Sequence, residues 1–170
     1  MDIKEAIKER HSVRQFQDIP VTEVDREQLN ELIKACNTES GLHMQLILND
    51  PDCFNTFLAH YGKFTNANNY IAMVGKKSFG DLDERCGYFG QKIVLEAQRM
   101  GLNTCWVAGT YGKGKCKAAM MAPTALNQQK FMIDLKGDLA VITAKAGPMT
   151  KIDLGIVKYN FEAASGRKCG

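Results

Sequence analysis

The run from Asp81 to Met100 limits what this chain can fold into more than any other stretch. Leu82, Cys86, Phe89, Ile93, Ala97 and Met100 recur at helical spacing and hold one apolar stripe. Acids crowd its start, Arg99 sits near its end, and Gly101 can stop it, as the helix dipole and a left-handed cap would have it. A helix this long with one greasy face must lie against a core. Gly87 and Gly90 fall inside it, each costing about 1 kcal/mol relative to alanine. Their spacing puts both on one face, which predicts a close backbone approach there, expected at a two-fold contact with a second copy of the chain.

The other elements arrange themselves around this helix. Asp2-Ile3-Lys4-Glu5 has the form of a capping box, and Ile3 and Ile7 share a face, so a first helix should run to about Arg10. Thr22 caps a second, in which Leu29, Leu32, Ile33 and Cys36 form a buried stripe before a break from Asn37 to Gly41. Met44 to Leu48 reads as a strand closed by Asn49-Asp50-Pro51, followed by a short helix near Pro51 to His60. Tyr70 to Gly75 and Asn103 to Ala108 read as further strands. A helix around Lys115 to Met121 and a strand around Leu139 to Lys145 complete the core, and the stretch from Ile152 reads as a tail.

In 170 residues there is room for one domain with a real core, so the expectation is a single domain over 1–170. A net charge of +3, spread over scattered lysines, argues against a nucleic-acid partner. No apolar run is long enough to span a membrane, and Met1 to Glu5 does not read as a signal peptide. The six cysteines are irregularly spaced and form no C-x-x-C pair, which favours reduced thiols and a cytoplasmic location over a disulfide or zinc framework.

Few motifs carry chemistry. Gly109 to Lys115 matches the phosphate-loop pattern after a strand, but Cys116 stands where a hydroxyl should ligate magnesium. Phe131 to Asp134 is a weak imitation of the accompanying metal-binding strand. A nucleotide hydrolase is therefore the third-ranked reading. His11, His43 and His60 are isolated, no nucleophile motif occurs, and no metal-ligand spacing appears, so no catalytic side chain is assigned. An enzyme built this way leaves the hard chemistry to a bound cofactor.

Arg10-His11-Ser12-Val13-Arg14-Gln15-Phe16 puts two guanidiniums and a hydroxyl at the end of the first helix. Forked donors of this kind suit a phosphate or a flat, delocalised anion. This stretch resembles the R-x-S-x-R/K-x-F signature of the FMN-dependent nitroreductase family. Tyr61 to Ala67 before the central strand, Glu96 to Gly109 as helix, Gly-Leu turn and flavin-facing strand, and the basic pair Arg167-Lys168 are similar to family segments in the same order. The likeness covers nearly the whole chain and is closest to a short, divergent branch of the family.

That resemblance implies an α+β fold, a central and mostly antiparallel sheet flanked by helices, in a homodimer. It implies that Arg10 and Ser12, with His11 between them, hold the FMN phosphate together with Arg167 and Lys168. Arg14 and Lys63 would face the N1/O2 edge of the flavin, and Val107, Ala108 and Gly109 would lie under its ring. The implied activity takes electrons from NAD(P)H as co-substrate to a nitroaromatic, quinone or similar small acceptor. The alternative is a flavin-binding sensor or carrier without efficient turnover. Thr38 to His43 departs from the Asn-Ser-Gln-Pro-like segment through which many members touch the partner subunit's flavin.

Overall fold

The computed structural model describes residues 1–54, 62–107, 131–136 and 139–170. The predicted helix beyond Phe54, the glycine-rich loop from 109 and the helix around 115–121 lie outside them. Within them the order is α1 (Ile3–Glu9), α2 (Glu23–Ser40), β1 (Gln45–Ile47), a 3-10 turn (Pro51–Phe54), β2 (Tyr70–Ala72), α3 (Leu82–Arg99), β3 (Phe131–Lys136), β4 (Leu139–Ala144) and α4 (Thr150–Ser165).

Local chemistry sets the helix ends. Asp2 accepts from the Glu5 amide while Glu5 accepts from the Asp2 amide, both at 2.9 Å, closing the capping box of α1. Thr22 accepts from Asp25 N at the start of α2. That helix runs through the expected break to Ser40, because Gly41 takes a left-handed conformation (φ 72°) and its amide caps Asn37 O.

The core forms where α3 meets α2 and the strands: Leu29, Ile33 and Cys36 from α2 pack with Met44, Met73 and with Cys86, Phe89, Ile93 and Ala97 from α3. On another side α3 lies against α4. A Cβ on Gly87 would stand 2.2 Å from the Ile152 carbonyl oxygen, and one on Gly155 would stand 2.0 Å from that of Glu84. The two backbones therefore touch, which only glycines allow. This corrects the expectation drawn from Gly87 and Gly90: both faces are filled within the chain, Gly87 by α4 and Gly90 by the Trp106 ring and Met73.

The fold is α+β, but its sheet is small. β1 pairs antiparallel with β2, and β3 with β4, as two separate two-stranded sheets among the described residues. The reason the first does not grow is visible at its end, where side chains replace the ladder: Asn49 N donates to Asn69 Oδ1 at 3.0 Å. The strand expected at 103–108 contributes a single parallel bridge, Thr104 to Ser12.

The stretch expected to be a tail is instead α4. Beyond it, residues 168–170 run parallel to β4: Gly170 N donates to Ala140 O and Ile142 N to Gly170 O. Glu162 locks this return in place. It accepts from Tyr88 Oη (2.7 Å), Lys168 Nζ (2.9 Å) and Cys169 N (3.2 Å). Cys36, Cys86, Cys105 and Cys169 are free thiols, whereas Cys53 is disulfide-bonded. That bond departs from the expectation of an all-reduced set, since irregular spacing says nothing about which thiols tertiary folding brings together.

Two outcomes follow from this packing. Gly155→Ala should destabilise the fold by about 1–3 kcal/mol as α3 and α4 are forced apart. Gly80→Ala, where nothing lies within 4 Å of the added methyl, should change a urea midpoint little. Burial alone would raise the Glu162 carboxyl, but its hydrogen bonds from Lys168, Tyr88 and Cys169 hold it down at about 2, against an ordinary 4.5. A depressed acid stabilises above its unfolded value, so that stability should fade as pH drops from 4.5 towards 2. In Glu162→Gln, acid unfolding followed by circular dichroism should lose that part of its pH dependence.

Candidate functional site

The capping box fixes the start of α1, and the helix delivers Arg10 to its end, where the Arg10 amide donates to Ala6 O at 3.0 Å. From there the chain runs extended between two neighbours. On one side Ser12 bridges Thr104, with Val13 N donating to Thr104 O at 3.1 Å. On the other Gln15 bridges Thr65, with Phe16 N donating to Thr65 O and Thr65 N to Arg14 O, each at 3.0 Å. Asn66 Nδ2 adds a bond to Phe16 O. Three segments far apart in sequence, 10–16, 63–66 and 104–107, thus meet, and they carry six of the residues picked out from the sequence.

Arg10 is half-buried, and its Nη1 is fully enclosed with no hydrogen-bond partner among the described residues. Burial pushes its pKa down, an effect opposed by nearby Cys105. The guanidinium stays protonated nonetheless. An enclosed donor without an acceptor costs about 1–3 kcal/mol, more when charged. His11 is exposed, its Nδ1 lying 3.0 Å from Glu9 O. Lys63 and Asn66 adopt left-handed backbone (φ 56° and 53°), an uncommon choice for lysine.

Beside these segments lies a cavity of about 620 Å³, in the size range of small-molecule sites. Val13, Gln15 and Phe16 wall it, but Ser12 and Arg14 do not. Successive side chains of an extended chain point to opposite faces, so the 12–16 segment separates an apolar interior from an outer face carrying Ser12 and Arg14, both exposed. Phe54, Phe64 and Tyr70 form a second wall, their rings in contact at centroid distances of 5.3 Å and 5.9 Å.

Thr104 to Val107 supply a third wall. Trp106, the chain's sole tryptophan, donates from Nε1 to Gln91 Oε1 at 3.3 Å, and Gln91 Nε2 in turn donates to Asn160 Oδ1. The ring closes over Gly90, where a Cβ would stand 2.4 Å from it. Sequence reading picked out Val107 on this wall through the family resemblance, but not Trp106. The trace of that contact was Gly90, a glycine inside a helix, in a chain with a lone tryptophan.

The remaining sequence candidates divide. Val107 walls the cavity, while Ala108 and Gly109 lie outside the described residues. Lys168 is drawn onto Glu162, and Arg167 is exposed. Among the described residues no hydrogen bond or ion pair connects this pair to Arg10. The Thr38 to His43 segment ends α2, with Ser40 Oγ donating to Cys36 O and accepting from Leu42 N, so that hydroxyl serves the helix end.

A family model described as "Putative TM nitroreductase" matches residues 2–119 and 114–165. The chain belongs to this nitroreductase family. No curated protein and no solved structure shows significant similarity to it. Membership places the chain among nitroreductase-type oxidoreductases, and the phosphate-loop reading loses its footing. Among the described residues no helix is long and apolar enough to cross a membrane.

Because Trp106 is the single tryptophan and stands in the cavity wall, its emission reports on that wall directly. Gly90→Ala should push the ring aside, shift the emission maximum and cost about 1–3 kcal/mol of stability. An emission spectrum unchanged from wild type would mean that Trp106 does not pack on Gly90.

Proposed function

We propose that this nitroreductase-family chain is an FMN-dependent oxidoreductase. The observation that supports it most is the enclosed, unpartnered Arg10 Nη1, beside a serine hydroxyl and at a helix end. A guanidinium and, two residues on, a hydroxyl are the donor types a phosphate monoester needs, so in their chemistry the residues fit the cofactor. Arg10 and Ser12 hold the phosphate and His11 stands beside it. Arg14 and Lys63 present cations along the outer face of the 12–16 segment, to the pyrimidine edge of the ring. The family resemblance puts Val107, Ala108 and Gly109 behind the ring, the last two lying outside the described residues.

Bound flavin supplies two-electron chemistry, taking hydride from NAD(P)H and reducing a nitroaromatic, quinone or similar small acceptor. The protein's own part is to bind and tune. Arg14 at the N1/O2 edge stabilises negative charge there and so favours the reduced form of the cofactor. Ser12, Arg14 and Lys63 are exposed in a single chain. In this reading a second copy covers them, and Arg167 and Lys168 reach a phosphate from either chain of that homodimer.

Purified protein should be yellow and should bleach with NAD(P)H under anaerobic conditions. Arg10→Ala should weaken FMN binding about ten- to a hundredfold while leaving riboflavin, which has no phosphate, nearly untouched; this corresponds to ~1.5–3 kcal/mol for a charge-assisted contact. Arg14→Met should leave that preference for FMN in place. Fluorescence titration of the two flavins decides it: equal losses for both in Arg10→Ala would remove Arg10 from the phosphate, and no flavin binding in wild type would end the proposal.

A further inference from the structure

We infer that the 620 Å³ cavity is a second ligand site, separate from the basic outer face, and that it takes an uncharged or positively charged planar aromatic molecule with Asp25 setting the charge preference. Three observations carry this. The first is shape and surface: Phe16, Phe54, Phe64, Tyr70 and Trp106 all contribute to its walls. Flat aromatic ligands gain from such walls both by desolvation and by offset or edge contacts, whereas a flexible aliphatic chain gains only the former.

The second is charge. Among the described residues that wall the cavity, Asp25 is the only one with a formal charge. Arg14 and Lys63 belong to segments that wall it, yet neither is part of the wall. The described wall therefore presents one negative charge inward, while Arg14 and Lys63 stand outside it. Flavin phosphate and an aromatic carboxylate are drawn outward and disfavoured within. The third is placement. Asp25 sits in the first turn of α2, where Thr22 Oγ1 donates to its Oδ2 at 2.7 Å. Its Oδ1 has no partner among the described residues. A carboxylate held by one oxygen with the other free is positioned to meet a cation or a ligand N–H.

This site shares Val107 with the one proposed for FMN but none of its basic residues, and the two can fail independently. The probes are three naphthalenes of nearly equal shape: 2-naphthylmethanol, 2-naphthylmethylamine, cationic at pH 7, and 2-naphthoate. Each is titrated into the full-length protein by calorimetry, with Trp106 emission reporting on the wall. The amine and the alcohol should bind, and the carboxylate should bind about tenfold more weakly than the alcohol, a gap that narrows at high salt. In Asp25→Asn the amine should fall to the level of the alcohol and the carboxylate should rise towards it. Asp25→Glu should keep the wild-type order, which shows that charge rather than helix capping is being read.

Equal affinities for all three probes in wild type, or no binding of any, would overturn the inference. So would displacement of a bound naphthalene by riboflavin, since the cavity would then be the flavin ring's own site. If FMN does not bind but the probes do in the stated order, the cavity assignment stands and the flavin proposal falls. If FMN binds and the probes are not discriminated, the reverse holds.

Discussion

The contact between the backbones of α3 and α4 is what the rest of the structure depends on. With Gly87 against the Ile152 carbonyl and Gly155 against that of Glu84, the helices approach closer than any side chain would permit. Dispersion gains at such a crossing come from many backbone and side-chain atoms at once. The closeness also brings polar partners within reach: Lys158 Nζ meets Glu84 at 2.7 Å, and Tyr88 Oη meets Glu162. Glu162 then anchors the chain end, which completes the edge of β4. A helix pair held this tightly leaves the opposite side of α3 free to carry the core and, at Gly90 and Gln91, the tryptophan wall of the cavity.

How much of this could be read from sequence depends on how local the cause is. The first helix was legible because both halves of its capping box lie within four residues, and α3 because its stripe keeps one period from Leu82 to Met100. The fourth helix was not. Its burial is contiguous, from Ile152 to Gly155, because its first turns are wedged into α3 rather than laid along one face. No helical period marks such a segment, and Gly155 counts locally against a helix while being what the crossing requires. The glycines of α3 show the same limit from the other side. Their spacing correctly announced close approach, but not what approaches: an intrachain helix and an indole ring rather than a second subunit.

The segments that meet at the candidate site were legible one by one, and their arrangement was not. Arg10, Ser12 and Arg14 at alternate positions would share a face if the chain were extended, and it is extended because Thr65 and Thr104 bracket it from both sides. Neither partner can be inferred from the motif itself. The consequence of that bracketing is a division of labour within five residues: Ser12 and Arg14 carry hydroxyl and charge outward, and Val13, Gln15 and Phe16 close an aromatic cavity within. Asp25 escaped notice because it also serves as an ordinary first-turn acid of α2. Its place in the cavity wall comes from tertiary packing alone.

Arg10 stands where these constraints meet. It terminates α1, lies beside Cys105 at the edge of the cavity wall, and precedes the outward-facing Ser12. Among the described residues nothing satisfies its enclosed Nη1, and Thr104 Oγ1, on the segment that bridges Ser12, is likewise enclosed without a partner there. Folding alone does not favour leaving such groups unpaired, since each costs desolvation that no internal bond returns. The cost persists because the bridges at Ser12, Gln15 and Thr104 hold the backbone regardless of what the side chains find. An anion that binds there supplies the missing acceptor and gains from donors already in place. In the proposed reading ligand affinity and fold stability would thereby be linked, because a bound anion would stabilise the native state as its occupancy rises.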